Sequence, residues 1–161
     1  MDAPLGTRNY RVILRWAGRD CALVLPAGVS GELLFEAQAV PVPGAPAWFA
    51  GLIAVRGEVV PVLCLADPWA DAADAQGHLL VIRSGSECFA VQTQALAGFA
   101  ALGEALPPEQ VEVPRALAHC CGGGWSLEGD CPRGVEWFPL RWSQSLHQSD
   151  PTSASISGGS P

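Results

Sequence analysis

The sequence contains no lysine: its nine basic residues are all arginines, scattered singly among sixteen Asp and Glu, and the formal net charge is -7. Binding a phosphate backbone requires clustered cations that release counterions, so nucleic acid is not an expected partner. The same lack excludes a polybasic anchor on an anionic membrane surface. No apolar run approaches the roughly 20 residues of a bilayer-spanning helix, and Met1 to Gly6 lacks the basic stretch and hydrophobic core of a signal peptide. The chain is therefore expected in the cytosol, where its six cysteines read as thiols rather than disulfides.

Motifs for catalysis and metal binding are also missing. Ser30 sits in Gly28-Val29-Ser30-Gly31, which is not a GxSxG elbow, and Ser86 falls in a turn. The three histidines, His78, His119 and His147, lie close in sequence to neither serine. Gly122-Gly123-Gly124-Trp125 lacks the Lys-Ser/Thr of a phosphate loop. His119-Cys120-Cys121 with Cys131 is the best case for zinc, but there is no CxxC knuckle, and neighbouring residues of a strand point to opposite faces. No metal, cofactor or enzymatic activity is expected.

What is present is a folded, strand-rich chain. Of 161 residues, 49% are hydrophobic and only 16% charged, which suits one domain, or two small lobes sharing a core. After a flexible leader at 1–8, strands are expected at about 10–16, 20–25 and 32–36, then at 52–55 and 59–65. Further strands are expected at 79–82 and 88–91, joined by Ser84-Gly85-Ser86, with 94–99 continuing. Residues 117–127 read as a hairpin interrupted by Gly122-Gly123-Gly124, and 140–147 as a closing helix. The Ser/Gly/Pro-rich stretch 149–161 has little to bury and reads as a disordered tail. Many short strands with regular turns imply a barrel or sandwich.

The densest information lies between Pro41 and Trp69. Pro41, Pro43 and Pro46 restrict the backbone, a single helical turn is expected near 46–50, and Gly51 ends it. Leu52 to Val55 and Val59 to Leu65 are too apolar for a solvated face. Between them Gly57 supplies the positive φ of a short connection, which carries Arg56 to a tip.

The run Pro43-Gly44-Ala45-Pro46, Gly51-Leu52-Ile53 and Val55-Arg56-Gly57-Glu58-Val59-Val60-Pro61-Val62 resembles the signature of CheW-type coupling proteins of bacterial chemosensory arrays. Tyr10 to Trp16 with Cys21 to Pro26 is similar to the family's opening hairpin, and His78 to Ala97 to its later strand pair. The resemblance implies a single CheW-like domain over 9–148, mainly β. Its expected form is two intertwined, five-stranded, SH3-like barrels with a hydrophobic groove between them.

The resemblance also implies a non-enzymatic adaptor. Its partners would be the CheW-like regulatory domain of a histidine autokinase and the cytoplasmic tip of a methyl-accepting chemoreceptor, so that it meets the membrane array only through them. Within the family the reading leans toward the branch serving type IV pili and twitching motility. The alternatives are a CheW-like scaffold for protein localisation or pilus positioning, and a small esterase-like or thiol enzyme.

The expected protein-interaction residues are Val55, Arg56, Gly57 and Glu58 at the hairpin, with Trp48 and Trp69 flanking it. Arg56 is a charged fork suited to bidentate pairing with a partner. The competing reading is an internal ion pair to Glu58 or Glu36. For the two tryptophans, an exposed interface anchor competes with capping of a barrel end.

Overall fold

A computed structural model describes residues 9–70, 76–129 and 131–146. The expectations of a flexible leader at 1–8 and a disordered tail at 149–161 lie outside these residues.

The strands are β1 (Tyr10–Arg15), β2 (Cys21–Val24), β3 (Val29–Leu34), β4 (Phe49–Val55), β5 (Glu58–Cys64), β6 (His78–Ser84), β7 (Glu87–Thr93), β8 (Leu96–Leu106), β9 (Cys121–Leu127) and β10 (Arg133–Trp137). A helix, α1 (Pro139–Leu146), follows β10, with proline at its first position, where the missing N–H costs nothing. Two lobes result. Strands from the two ends of the described chain close a barrel in the order β1-β2-β10-β9-β8, and the middle of the chain forms a five-stranded sheet in the order β3-β6-β7-β5-β4.

Three apolar clusters hold the lobes together. Ile13, Ala22, Val24, Ala100, Leu127 and Cys131 fill the closed barrel. Val55, Val60, Val62, Leu79, Val81 and Ala90 fill the concave side of the sheet. The largest cluster joins the lobes: Leu14, Trp16, Leu23 and Leu25 from the barrel meet Leu63, Leu80, Ile82, Phe89 and Val91 from the sheet, with Trp137 and Trp142. Alternate residues of β2, β6 and β7 therefore enter different cores. That is why their sequences are continuously apolar rather than alternating.

The second lobe is not a hydrogen-bonded barrel. Its edge strands β3 and β4 share no ladder. The segment after β3 instead lays Val40 against Leu52 of β4, with reciprocal backbone hydrogen bonds of 2.8 and 2.9 Å. The sheet curls far enough for side chains to bridge its edges, and the Arg56–Glu32 ion pair described below is one such link.

Three local expectations are corrected. No helix forms at 46–50, only one hydrogen-bonded turn: Phe49 N–H donates to the Pro46 carbonyl at 3.0 Å, and β4 begins at once. Gly51 does not end a turn but sits at a bulge within β4, with φ +143°. Residues 117–127 are not a hairpin. Arg115–Cys120 is a 3-10 segment, and the three glycines lie inside β9. A Cβ on Gly124 would come within 2.6 Å of the Val111 side chain, so glycine there marks close packing rather than a turn.

Candidate docking hairpin and adjoining groove

β4 and β5 pair from Val55↔Glu58 through Ala54↔Val59 to Leu52↔Pro61, leaving Arg56 and Gly57 as a two-residue turn. Both have positive φ, +50° and +83°, as a primed hairpin turn requires. Glycine takes this conformation freely. For arginine it is disfavoured by about 1 kcal/mol. A residue with no backbone advantage at that position points to the use of its side chain.

The Arg56 guanidinium reaches Glu32 on β3 at 2.6 Å, with side-chain exposures of 69% and 39%. The internal partner is thus Glu32, not Glu58 or Glu36. Glu58 pairs with Arg83 of β6 at 3.5 Å. Exposed pairs of this kind contribute about 0–1 kcal/mol to folding, so both charges remain open to exchange with a partner. Val55 is buried in the inner core and supports the turn from beneath.

The hairpin's outer face departs from the sequence expectation. Val60 and Ile53 point inward, whereas Leu52, Ala54 and Val59 face solvent, Val59 at 70% exposure. This face is therefore apolar and bare. Pro61 continues it into a groove of about 340 Å³ lined by Trp48, Phe49, Leu63, Phe89 and, from α1, Leu140. Trp48 is half-buried there and meets Phe49 edge to face at 6.1 Å.

Trp69 lies elsewhere. Its ring packs edge-on against Trp16 at 6.1 Å, and its indole N–H donates to the Glu112 carbonyl at 2.7 Å. Its backbone N–H bonds Asp67, which in turn pairs with Arg19 at 3.0 Å. Trp69 thus fastens the loop after β5 to the segment before β9. Val55, Arg56, Gly57 and Glu58 thus stand together at the hairpin turn, Trp48 lines the groove at the other end of β4, and Trp69 lies apart from both.

Among the described residues, no group of three or more His, Cys, Asp or Glu is placed to hold a metal ion. His119 does meet a hydroxyl that sequence proximity did not suggest, with its Nε2 2.8 Å from Ser145 Oγ. Ser145 Oγ donates to the Trp142 carbonyl at 2.7 Å, so the imidazole N–H donates to the hydroxyl. That is the reverse of a general base activating a nucleophile.

Burial, followed by the neighbouring Cys131, pushes the Cys21 thiol up to about 11. At pH 8 about one such thiol in a thousand is ionised, against a tenth or more of ordinary thiols. Alkylation of Cys21 by iodoacetamide, followed by peptide mass mapping, is expected to accelerate about tenfold per pH unit up to pH 11. A plateau below pH 9 would contradict the burial.

These features define a two-lobed β fold that presents a charged hairpin tip beside a bare apolar face. The CheW-like domain family matches residues 32–118, more than half of the sequence, and the chain belongs to that family of chemotaxis scaffold adaptors. No curated protein matches the sequence significantly. Among solved structures, the chain is similar to the scaffolding protein TtCheW from Thermoanaerobacter tengcongensis at 15% identity and a TM-score of 0.59, covering 84% of this chain and 86% of that one. Among the described residues, no helix is long and apolar enough to cross a membrane.

Proposed function

We propose that the protein is a non-enzymatic adaptor that couples a chemoreceptor's cytoplasmic tip to a histidine autokinase, and that the β4–β5 hairpin docks on the kinase's CheW-like regulatory domain. The observation that carries this reading is the hairpin itself. Arg56 is held in a left-handed conformation at its tip, beside the exposed apolar face of Leu52 and Val59. An apolar patch rimmed by exchangeable charges has the composition of a protein interface, where a few anchors carry most of the binding. The adaptor's action is positional: a partner bound at one surface biases the geometry at another. Whether the pathway drives swimming or type IV pilus twitching is set by which kinase domain the hairpin accepts.

Size-exclusion co-elution with a purified kinase regulatory domain tests this. Wild-type protein is expected to co-elute, and Val59→Asp and Arg56→Asp each to bind at least ~10-fold more weakly, with the fold unchanged by circular dichroism. Glu32→Gln separates docking from latching. If Arg56 serves only its internal partner, Glu32→Gln will match Arg56→Asp in every assay. Failure to co-elute with any kinase regulatory domain, or full binding by Arg56→Asp, would remove the proposal.

A further inference from the structure

At its first half β8 keeps only one neighbour. It pairs with β1 from Leu96 to Ala101, whereas β9 pairs with β8 only between Leu102 and Leu106. β9 then turns away, its Leu127 N–H donating to the Pro132 carbonyl at 2.9 Å. Two hydrogen bonds fix the direction of the backbone groups left over. Leu102 N–H donates to the Asn9 carbonyl at 2.9 Å, on the β1 side, and the Ala101 carbonyl accepts from Glu128 N–H at 3.1 Å, on the β9 side. Strand alternation therefore turns the N–H and C=O of Ala97 and Phe99 away from β1, toward the line that β9 has left. No described strand pairs with them there, so this stretch is a bare edge, able to template another strand.

The same departure of β9 leaves a cavity of about 330 Å³ at the barrel's mouth. Ile13, Ala100 and Cys131 of the barrel core form its floor, and Arg15, Leu96 and Glu128 line its rim. Gly98 keeps it open, since a Cβ built there meets nothing within 4 Å. Arg15 takes part in none of the ion pairs among the described residues. It stands at the Leu96 end of the mouth, in register with Leu96, while Glu128 stands at the Ala101 end.

A bare edge beside a side-chain cavity has the make-up of a strand-addition site, where main-chain hydrogen bonds give affinity and the pocket gives specificity. We propose that the first half of β8 docks an extended segment of a partner protein as an added strand, antiparallel to β8 along the line β9 vacates. Ala97 and Phe99 supply the backbone hydrogen bonds. The partner residue opposite Gly98 is apolar and enters the cavity. Two positions further on, opposite Leu96 and on the same face, stands an Asp or Glu that meets Arg15. The opposite order would set that carboxylate beside Glu128. The site lies on the barrel, away from the β4–β5 hairpin, and does not depend on the adaptor reading.

Fluorescence anisotropy of a labelled peptide, Ser-Thr-Val-Thr-Glu-Thr-Ser, titrated with the full chain tests the docking. Wild-type protein is expected to bind it saturably. Gly98→Val, which fills the cavity, and Arg15→Gln are each expected to weaken binding at least ~10-fold, with the fold unchanged by circular dichroism. Methylating the amide nitrogen of the threonine between valine and glutamate removes the hydrogen bond to the Ala97 carbonyl, and is expected to weaken binding about 10-fold as well. No saturable binding by the wild type, or undiminished binding by a folded Gly98→Val, would overturn the proposal. Equal affinity for the methylated peptide would do the same, because the cavity would then take a side chain without a strand. So would a dimer in gel filtration that Gly98→Val abolishes, which would assign the edge to a second copy of the chain. Arg15→Gln supplies a second reading should Gly98→Val fail to fold.

Discussion

Replacing Gly51 by alanine is expected to destabilise the protein by about 2–5 kcal/mol, combining a disfavoured backbone with overpacking. The φ of +143° is one that L side chains rarely adopt, and an added Cβ would stand 2.2 Å from the Val40 carbonyl oxygen. The Val40 oxygen is a backbone atom, so no side-chain rotation relieves the contact. The obvious escape is separation of Val40 from Leu52, and that pairing covers the edge of β4. Urea denaturation should show a fall in midpoint with an unchanged slope. Gly57→Ala is the control: φ is +83°, but nothing lies within 4 Å of the added Cβ. It is expected to lose only about 1 kcal/mol. Equal losses for the two variants would show that the Val40 contact does not constrain the bulge.

Truncating Trp137 to alanine is expected to cost about 3–5 kcal/mol, the usual range for removing a fully buried aromatic. Its side chain is completely buried where the lobes meet, and its ring stands edge-on to Trp142 at 5.5 Å. Trp142 in turn lies 6.4 Å from Phe89 of the sheet, so the loss reaches across both lobes and α1. For a chain of this size the melting temperature should fall by roughly 6–20 °C, as one cooperative transition followed by circular dichroism. Val59→Ala, on the bare face of the hairpin, should stay within about 0.5 kcal/mol of wild type. A loss below ~1 kcal/mol for Trp137→Ala would mean that the lobes do not depend on a shared core.

The hairpin could be read before the structure because its signals are local. Glycine at the turn, apolar runs on each side and prolines before them all act over a few residues, and the strands around Arg56 formed close to where they were expected. β10 left no such signal. Arg133-Gly134-Val135-Glu136-Trp137 is short and charged and contains a glycine, and it forms a strand by parallel pairing with Cys21 to Val24 far away in sequence. The Gly122-Gly123-Gly124 run was misread for a related reason: close approach to Val111 and a turn ask for the same residue. The partner of Arg56 was equally hidden. Glu32 is 24 residues away and reaches the arginine only because the sheet curls edge toward edge.

The sequence by itself determined that this is a strand-rich, lysine-free member of the CheW-like family with a short hairpin between Pro41 and Trp69, since composition and turn chemistry are carried by neighbouring residues. Only the tertiary structure decided which apolar residues are core and which are surface. Leu52 and Val59 look no different in sequence from Val60 and Val62, yet the first two meet solvent and the others fill the sheet's interior. A residue's hydrophobicity is local, but its burial depends on what the rest of the chain folds against it.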